Sequence, residues 1–363
     1  MWNIIIWGTG EAAGVIAPDT KLFRNNINVI GYADSDSEKW GKTFHNKRVF
    51  APFEVMNLKF DSIVISSEKF YDEIEGMLIR LYGIGKEKID RRHGILRRLL
   101  LDKYKNSSDK DIAASVEYLK THECTHFNQF VKFKNEPYFV KWDKVEYLPY
   151  IMFEDKKMYY PRNRKFQRYE GKEVVFDLMA EQTKESPHLY INDRVKVEQG
   201  DVICDAGVCE GNFALRYVEK ASKIYLVECD EEWFLPLSKT FQPFRDKVEI
   251  CHKFLGHHAT GNCINIDTLI DGRLDFLKMD IEGAEVEALL GGCQCMQRND
   301  VKSAICSYHR HNDEFFLKKI LEMYGYETFC SGGYMTFLCD EGMYTDPEFR
   351  KGIVYGIKEE RNA

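Results

Sequence analysis

The stretch Gly200-Asp201-Val202-Ile203-Cys204-Asp205-Ala206-Gly207-Val208-Cys209-Glu210-Gly211-Asn212 constrains this chain more than any other. Val202 to Cys204 is an apolar run closed by an acid, which predicts a buried parallel strand opening at Asp205. Gly207 and Gly211 lack Cβ atoms where the backbone must bend close to a ligand, and a helix starting at Asn212 presents unpaired N–H groups. The pattern predicts a nucleotide-binding strand, turn and helix. An acid before the first glycine would crowd a pyrophosphate but suits a cationic amino-acid ligand. Asp205 therefore points to S-adenosylmethionine rather than NAD.

Two further junctions follow at the spacing a doubly wound sheet requires. Lys223 to Val227 is a second strand, and Glu228 at its end is placed to accept hydrogen bonds from both hydroxyls of a ribose. Leu274 to Glu285 is a third strand-to-helix junction, dense in carboxylates at Asp280, Glu282 and Glu285. Here the chain resembles the FkbM family of methyltransferases: Lys278-Met279-Asp280-Ile281-Glu282-Gly283-Ala284-Glu285 carries the family's signature, and Ile266-Asp267-Thr268-Leu269 its preceding element. The resemblance covers about residues 186 to 340. It departs in the glycine loop, where Val208-Cys209 stands in place of Ala-Asn. It implies an α/β fold with a seven-stranded, doubly wound, class I methyltransferase-like sheet and S-adenosylmethionine as methyl donor, bound by Asp205, Gly207, Gly211, Asn212 and Glu228.

The 363 residues, 44% of them hydrophobic, suggest several domains with real cores. We expect a smaller Rossmann-like domain over 1–92, a helical and β-hairpin connector or lid over 93–186, and the methyltransferase domain over 187–363. The first carries Gly8-Thr9-Gly10 after an apolar strand and Asp34 after a second strand. It resembles the N-terminal domains of sugar-modifying and glycan-biosynthesis enzymes, through Gly8-Thr9-Gly10 and Gly31-Tyr32-Ala33-Asp34-Ser35-Asp36. A helix is expected to follow to about Phe23.

The net charge of −7 is concentrated in residues 187–363, with 20 basic against 30 acidic side chains, which argues against nucleic acid as a partner. Eleven scattered cysteines fit reduced thiols in a cytoplasmic setting better than a disulfide framework. The apolar start reads as a strand, not as a leader. No run approaches the ~18 apolar residues of a membrane span.

His122-Glu123-Cys124-Thr125-His126 matches the zinc-protease motif on a helical stretch expected to reach Phe133, but it lacks an apolar flank and a third ligand. Lys156, Lys157, Arg162, Arg164, Lys165 and Arg168 form a basic, tyrosine-rich stretch, read either as a solvated loop or as a lid meeting a phosphorylated acceptor. His188 and Tyr190 are read either as lying near the methionine end of the cofactor or as part of a packed strand edge. Downstream, Val248 to Cys251 and Ser303 to Tyr308 read as strands, Glu314 to Tyr324 as a helix, and Tyr326 to Cys330 with Met335 to Leu338 as the closing strand pair. From Asp340 onward no pattern predicts an element.

Together these features point to an O-methyltransferase acting on a hydroxyl of a sugar, glycan or nucleotide-linked precursor. Asp280 with His309 is the expected proton-accepting centre, and Glu282 is a further catalytic candidate, with His311 two positions beyond His309. Convergence of Asp280, Glu282 and His309 on a divalent metal is the alternative chemistry. Glu282 or Glu285 could instead cap the following helix. Other readings are N- or C-methylation, an NAD-linked sugar-nucleotide oxidoreductase using Gly8, Gly10 and Asp34, and a non-enzymatic nucleotide-sugar binding module.

Overall fold

A computed structural model describes residues 1–14, 16, 27–127, 137–176 and 178–358. They fall into two compact units: Met1–Asn128 with Thr336–Phe349, and Gln129–Met335 with Arg350–Ala363.

The first unit is built on six strands: β1 (Trp2–Trp7), β2 (Ile27–Ala33), β3 (Thr43–Phe44), β4 (Lys47–Phe50), β5 (Ser62–Ile65) and β6 (Ile89–Arg91). Their order is β3-β4-β2-β1-β5-β6, parallel except for the β3–β4 hairpin. Ile4, Ile5 and Ile6 of the central strand are all fully buried, as a parallel strand covered on both faces requires. The helices are α1 (Glu11–Gly14), α2 (Pro52–Val55), α3 (Tyr71–Tyr82), α4 (Arg92–Tyr104) and α5 (Lys110–Leu119). The helix expected to run on to Phe23 falls, beyond Gly14, almost wholly outside the described residues.

Asp109 caps α5, accepting from the backbone N–H of Asp111 and Ile112. That helix stops at Leu119, so the stretch expected to carry His122 to His126 is not helical as far as Phe127, and residues 128–133 lie outside the described part. His122 stacks on Tyr118 with ring centroids 4.0 Å apart, whereas His126 lies 5.7 Å from Phe337. The zinc-protease reading needs both histidines on one face of a helix, and that helix does not exist.

The second unit opens with two three-stranded antiparallel sheets, made from β7 (Pro137–Phe139), β8 (Lys141–Asp143), β9 (Leu148–Phe153), β10 (Lys156–Tyr159), β11 (Gln167–Tyr169) and β12 (Lys172–Phe176). The span 93–186 is thus shared between the units: α4 and α5 belong to the first, these strands to the second. Next come β13 (Val202–Ala206), α6 (Asn212–Tyr217), β14 (Lys223–Val227), α7 (Glu231–Phe241) and β15 (Val248–Cys251). The short pair β16 (Phe254–Leu255) and β17 (Cys263–Ile264) and helix α8 (Ile266–Leu269) lead to β18 (Phe276–Met279), α9 (Glu285–Leu290), α10 (Cys293–Arg298) and β19 (Lys302–Cys306). Helix α11 (Asp313–Met323), β20 (Glu327–Cys330) and β21 (Ile353–Ile357) complete the unit.

Seven of these strands form one sheet in the order β15-β14-β13-β18-β19-β21-β20. From β15 to β19 it is parallel, while β21 runs antiparallel between β19 and β20. The closing pair differs from the one the sequence suggested. Met335 makes only an isolated bridge to Arg350, and the strand that completes the sheet is the apolar run Ile353-Val354-Tyr355-Gly356-Ile357, supplied by the tail. Connections leave β13 in one direction and β18 in the other, so the ends of β13, β14, β18 and β19 surround the point where ligands bind in such sheets. Among the described residues no helix is long and apolar enough to cross a membrane.

Candidate active site

Four strand ends deliver the site. After β13 the chain turns at Gly207, whose φ is +73°. A Cβ at Gly207 would sit 1.6 Å from the backbone oxygen of Asp280, so only glycine lets the loop pass this close to the end of β18. Cys209 and Gly211 also have positive φ, and α6 then starts at Asn212 as expected. Asn212 Nδ2 donates to the Leu178 carbonyl at 3.4 Å.

Glu228, directly after β14, holds this loop. One carboxylate oxygen accepts from Cys209 N at 2.8 Å, and the other accepts from Cys229 N at 2.8 Å and Asp230 N at 2.9 Å. A carboxylate has about four acceptor positions, so Oε2 retains one for a ligand hydroxyl.

Asp205 is fully buried and faces the protein interior, with Lys278 Nζ 3.0 Å from its Oδ1. Burial pushes the Asp205 carboxyl up, against the pull of Lys278. Lys278 remains a cation because Asp205 and Asp280 outweigh its burial, and its Nζ donates to the Gly207 carbonyl at 2.5 Å. The pair braces the glycine turn from beneath. Asp205 and Gly211 do not line the cleft, whereas Gly207, Asn212 and Glu228 do.

Asp280 follows β18, and each of its carboxylate oxygens meets one tyrosine and one histidine. Oδ2 accepts from Tyr190 OH at 2.7 Å and lies 3.5 Å from His188 Nε2. Oδ1 accepts from Tyr308 OH at 3.5 Å and lies 3.4 Å from His309 Nε2. Burial works to raise the Asp280 pKa, but His188, Lys278 and His309 together hold it well below the usual carboxylate range. Both imidazoles are raised instead. Burial opposes the charge on His188, yet Asp280 and Glu181 lift its pKa to about 9. His309 is likewise raised against its burial, chiefly by Glu285, whose Oε1 lies 2.9 Å from its Nδ1.

These groups open onto a cleft of about 1000 Å³ lined by Glu181, Tyr190, Cys209, Glu228, Asp280, Glu282 and Tyr308, among others. That volume lies at the upper end for small-molecule sites and suits two ligands side by side. Asp280 keeps 21% of its side chain exposed and reaches the cleft, while His309, at 1%, lies behind it. Glu282 sits at the rim with 82% exposure, 3.6 Å from His309. Buried Arg350 fixes the end of β19 by donating to the carbonyls of Tyr308 and His309 at 2.9 Å each.

The basic stretch, read either as a solvated loop or as a lid, puts none of its charges, Lys156, Lys157, Arg162, Arg164, Lys165 and Arg168, into the lining of the cleft. Lys157 pairs with Asp143 at 2.7 Å, and Arg164 packs over Tyr160 and Trp233. The sequence reading also missed Glu285 as the partner of His309. Its only available signal was an acid at the first turn of α9, which reads equally well as a helix cap.

Among the described residues two groups, His188-Asp280-Cys306 and Asp280-Glu285-His309, each bring three potential metal-donor atoms within 4.8 Å of one another. In both, however, each imidazole turns its two nitrogens toward two different carboxylates. Two ring N–H protons would satisfy both carboxylates, and an imidazole bound to an ion through one nitrogen would still donate its other N–H to the remaining carboxylate, so the donor set fits either a proton or a metal.

Residues 165–334 match the sequence model of the methyltransferase FkbM domain, and residues 1–90 match that of the C2185-like N-terminal domain. No curated protein matches the chain. Among solved structures, the chain is similar to the methyltransferase FkbM from Methylobacillus flagellatus KT, with 15% identity over 98% of this chain and 89% of that one and a TM-score of 0.45. It is also similar to the magnesium protoporphyrin IX methyltransferase from Synechocystis PCC 6803 with bound SAM, with 14% identity over 44% of this chain and 71% of that one and a TM-score of 0.31. A third similar structure is the precorrin-6y C5,15-methyltransferase from Geobacter metallireducens GS-15, with 15% identity, 45% and 82% coverage and a TM-score of 0.30.

Proposed function

Taking as premise that residues 165–334 form an FkbM-type domain and that the chain is a methyltransferase, we propose that it moves the methyl group of S-adenosylmethionine onto a hydroxyl of a sugar or glycan precursor. When bound, the cofactor supplies an electrophilic methyl carbon on a sulfonium. In this reading Glu228 takes a ribose hydroxyl at its remaining acceptor position, and the Gly207-to-Asn212 turn brings backbone close to the ligand. Lys278 and Asp205 keep that turn in place from below.

The observation that carries the reading is Asp280, held as an anion at the mouth of the cleft by two histidines and two tyrosines. Such a carboxylate is a weak base. It is too weak to deprotonate an ammonium, so an amine acceptor would stay protonated and unreactive beside it. A hydroxyl needs less, because the oxygen becomes strongly acidic as it gains the methyl group, and an ionised carboxylate in hydrogen-bonding reach then takes the proton. This favours O- over N-methylation. The sugar assignment is supported by the FkbM likeness and by the kind of N-terminal domain the sequence resembles.

The NAD-linked alternative would need Asp34 as a ribose clamp. Its oxygens already accept from Thr9 N at 3.1 Å, Thr9 Oγ1 at 2.6 Å, Lys39 Nζ at 3.1 Å and Asp36 N at 2.9 Å. Three of these donors share Oδ2 and one meets Oδ1, so both oxygens are already held by the chain itself, with a lysine among the donors. We read the first unit as one without redox chemistry, serving assembly or weak binding of a nucleotide-linked group.

Calorimetry with S-adenosylmethionine and with NAD tests the cofactor, with binding expected for the first only. Methyl transfer from labelled S-adenosylmethionine to a pool of sugar nucleotides, with the linkage read by NMR, tests the chemistry. Methyl on nitrogen or carbon overturns the O-methyl reading, and activity lost with a chelator and restored by Mg²⁺ would replace proton-linked histidines with a metal.

A further inference from the structure

We propose that His188 and Glu181 form a second arm of the catalytic centre, a positioning pair that clamps the Asp280 carboxylate from the side opposite His309. This rests on the reading of Asp280 as the group that faces the acceptor hydroxyl.

The five side chains Glu181, His188, Asp280, His309 and Glu285 alternate acid and imidazole in one continuous row. Glu181 Oε2 lies 3.2 Å from His188 Nδ1, and His188 Nε2 lies 3.5 Å from Asp280 Oδ2. On the other side His309 Nε2 lies 3.4 Å from Asp280 Oδ1, and Glu285 Oε1 lies 2.9 Å from His309 Nδ1. Also facing the His188 ring are Tyr190, with its hydroxyl 3.4 Å from Nε2, Cys306, with Sγ at 3.3 Å, and Tyr308, packed edge-on at 5.3 Å. With a carboxylate at each nitrogen, only the imidazolium presents a donor to both.

His188 reaches this place by construction. It belongs to a segment that precedes β13 by many residues, and Gln182 clips that segment by donating to the His188 carbonyl at 2.9 Å and accepting from Tyr190 N at 2.9 Å. Ser186 Oγ accepts from His188 N at 3.0 Å. The clip delivers His188 and Tyr190 together to Oδ2, as the end of β19 delivers His309 and Tyr308 together to Oδ1. Three of these four contacts lie at 3.4–3.5 Å, which leaves the oxygens able to take an acceptor hydroxyl.

The two arms differ at their far ends. Glu285 is fully buried, whereas Glu181 is 52% exposed and lines the cleft. His309 is locked into the core, and His188 is held by a carboxylate that a ligand can touch. The proton on His188 therefore sets how firmly Asp280 is aimed.

Histidine NMR of the full chain tests the clamp without any acceptor. His188 should stay protonated to about pH 9, and Glu181→Gln and Asp280→Asn should each lower its midpoint by at least ~1 pH unit. An unmoved midpoint in both variants overturns the proposal whether or not the chain methylates a hydroxyl. With S-adenosylmethionine and the acceptor found in the screen, His188→Gln should lower kcat by about 10-fold or more while changing the KM for S-adenosylmethionine less than about twofold. Glu181→Gln, a change at the exposed rim that the fold should tolerate, should move the alkaline limb of the kcat profile to lower pH. A fall in kcat with the limb unmoved would mean a merely structural role and overturn the clamp.

Discussion

The molecule contains the same local device twice: a strand, a glycine turn, and an acid at the end of the neighbouring parallel strand. In the first unit the turn is Gly8-Thr9-Gly10 and the acid Asp34; in the second they are Gly207 to Gly211 and Glu228. Asp34 accepts four hydrogen bonds from its own chain, three at Oδ2 and one at Oδ1, two of them from the Thr9 side chain and Lys39. Glu228 accepts three, all from backbone N–H groups, and keeps a fourth acceptor position facing a cleft. The glycines differ in the same sense. A Cβ on Gly8 would meet the Ser66 hydroxyl at 2.7 Å, a side chain that can turn away at the cost of its 2.8 Å hydrogen bond to the Trp7 carbonyl, whereas on Gly207 it would meet a backbone carbonyl at 1.6 Å. A Rossmann-like pattern thus gives the backbone path, and the groups that already hold its acid, side chains and a lysine in one copy and backbone N–H groups alone in the other, distinguish the two turns.

The sharpest way to break this comparison is alanine at each first glycine. Both glycines have positive φ, +73° at Gly207 and +103° at Gly8, so the neighbour makes the difference: Gly207→Ala, against an immovable carbonyl, should cost roughly 3–5 kcal/mol, and Gly8→Ala about 2–3 kcal/mol. Equal losses in denaturant unfolding would show that the two turns are built alike. Next in size is Asp280→Asn, which preserves shape and removes charge: turnover should fall at least ~10²-fold with S-adenosylmethionine binding retained. Near-normal turnover would remove the feature that most separates the second unit from the first.

Acid and base should also separate the units. His188, raised from 6.5 to about 9, contributes stability that is complete below pH 6.5 and is lost as pH rises through 9, worth roughly 3 kcal/mol. In the first unit His93 is lowered from 6.5, chiefly by burial, so its contribution has the opposite sign and stability falls as pH drops below 6.5. Melting curves across pH, with His188→Gln and His93→Gln as controls, should show the two slopes exchange; parallel slopes would defeat the assignment. The smallest effects are at the acids themselves. Glu228→Ala should weaken S-adenosylmethionine binding by roughly 1.5–3 kcal/mol, while Asp34→Ala should leave that affinity unchanged and cost the first unit about 1–2 kcal/mol. Calorimetry on both variants decides whether only one acid serves a ligand.

Much of this was readable from the chain because it is local. Strand β13, the turn after it and Glu228 lie within one strand-helix-strand unit, where apolar runs, glycines and a terminal acid suffice. Asp280 and His309 were legible as neighbours because β18 and β19 are adjacent parallel strands whose ends share an edge. What escaped depends on folding at long range. The sequence places His188 near the cofactor or in a strand edge, but its contact with Asp280, 92 positions further on, depends on how Gln182 and Ser186 hold its segment. Glu285 carries the same letter as a helix-capping acid, and only its burial against His309 distinguishes the roles. Strand β21 was missed because an apolar pentad near a chain end carries no signal of which strands it will separate. The basic stretch at 156–168 looked like an anion trap, but its charges are partly taken up by Asp143, the Tyr147 carbonyl and aromatic faces.

Between β20 and β21 the chain leaves the second unit, contributes Thr336–Phe349 to the first, and returns at Arg350 to supply the strand that closes the sheet. The covalent thread therefore passes between the units three times, and a single proteolytic nick releases neither. During synthesis the first unit cannot acquire its last segment until every other strand of the large sheet has been made. The sheet in turn receives its inner closing strand only after that segment, so vectorial folding one domain at a time cannot finish either half. Each unit's final assembly is deferred to the same short stretch of polypeptide, residues 336–357.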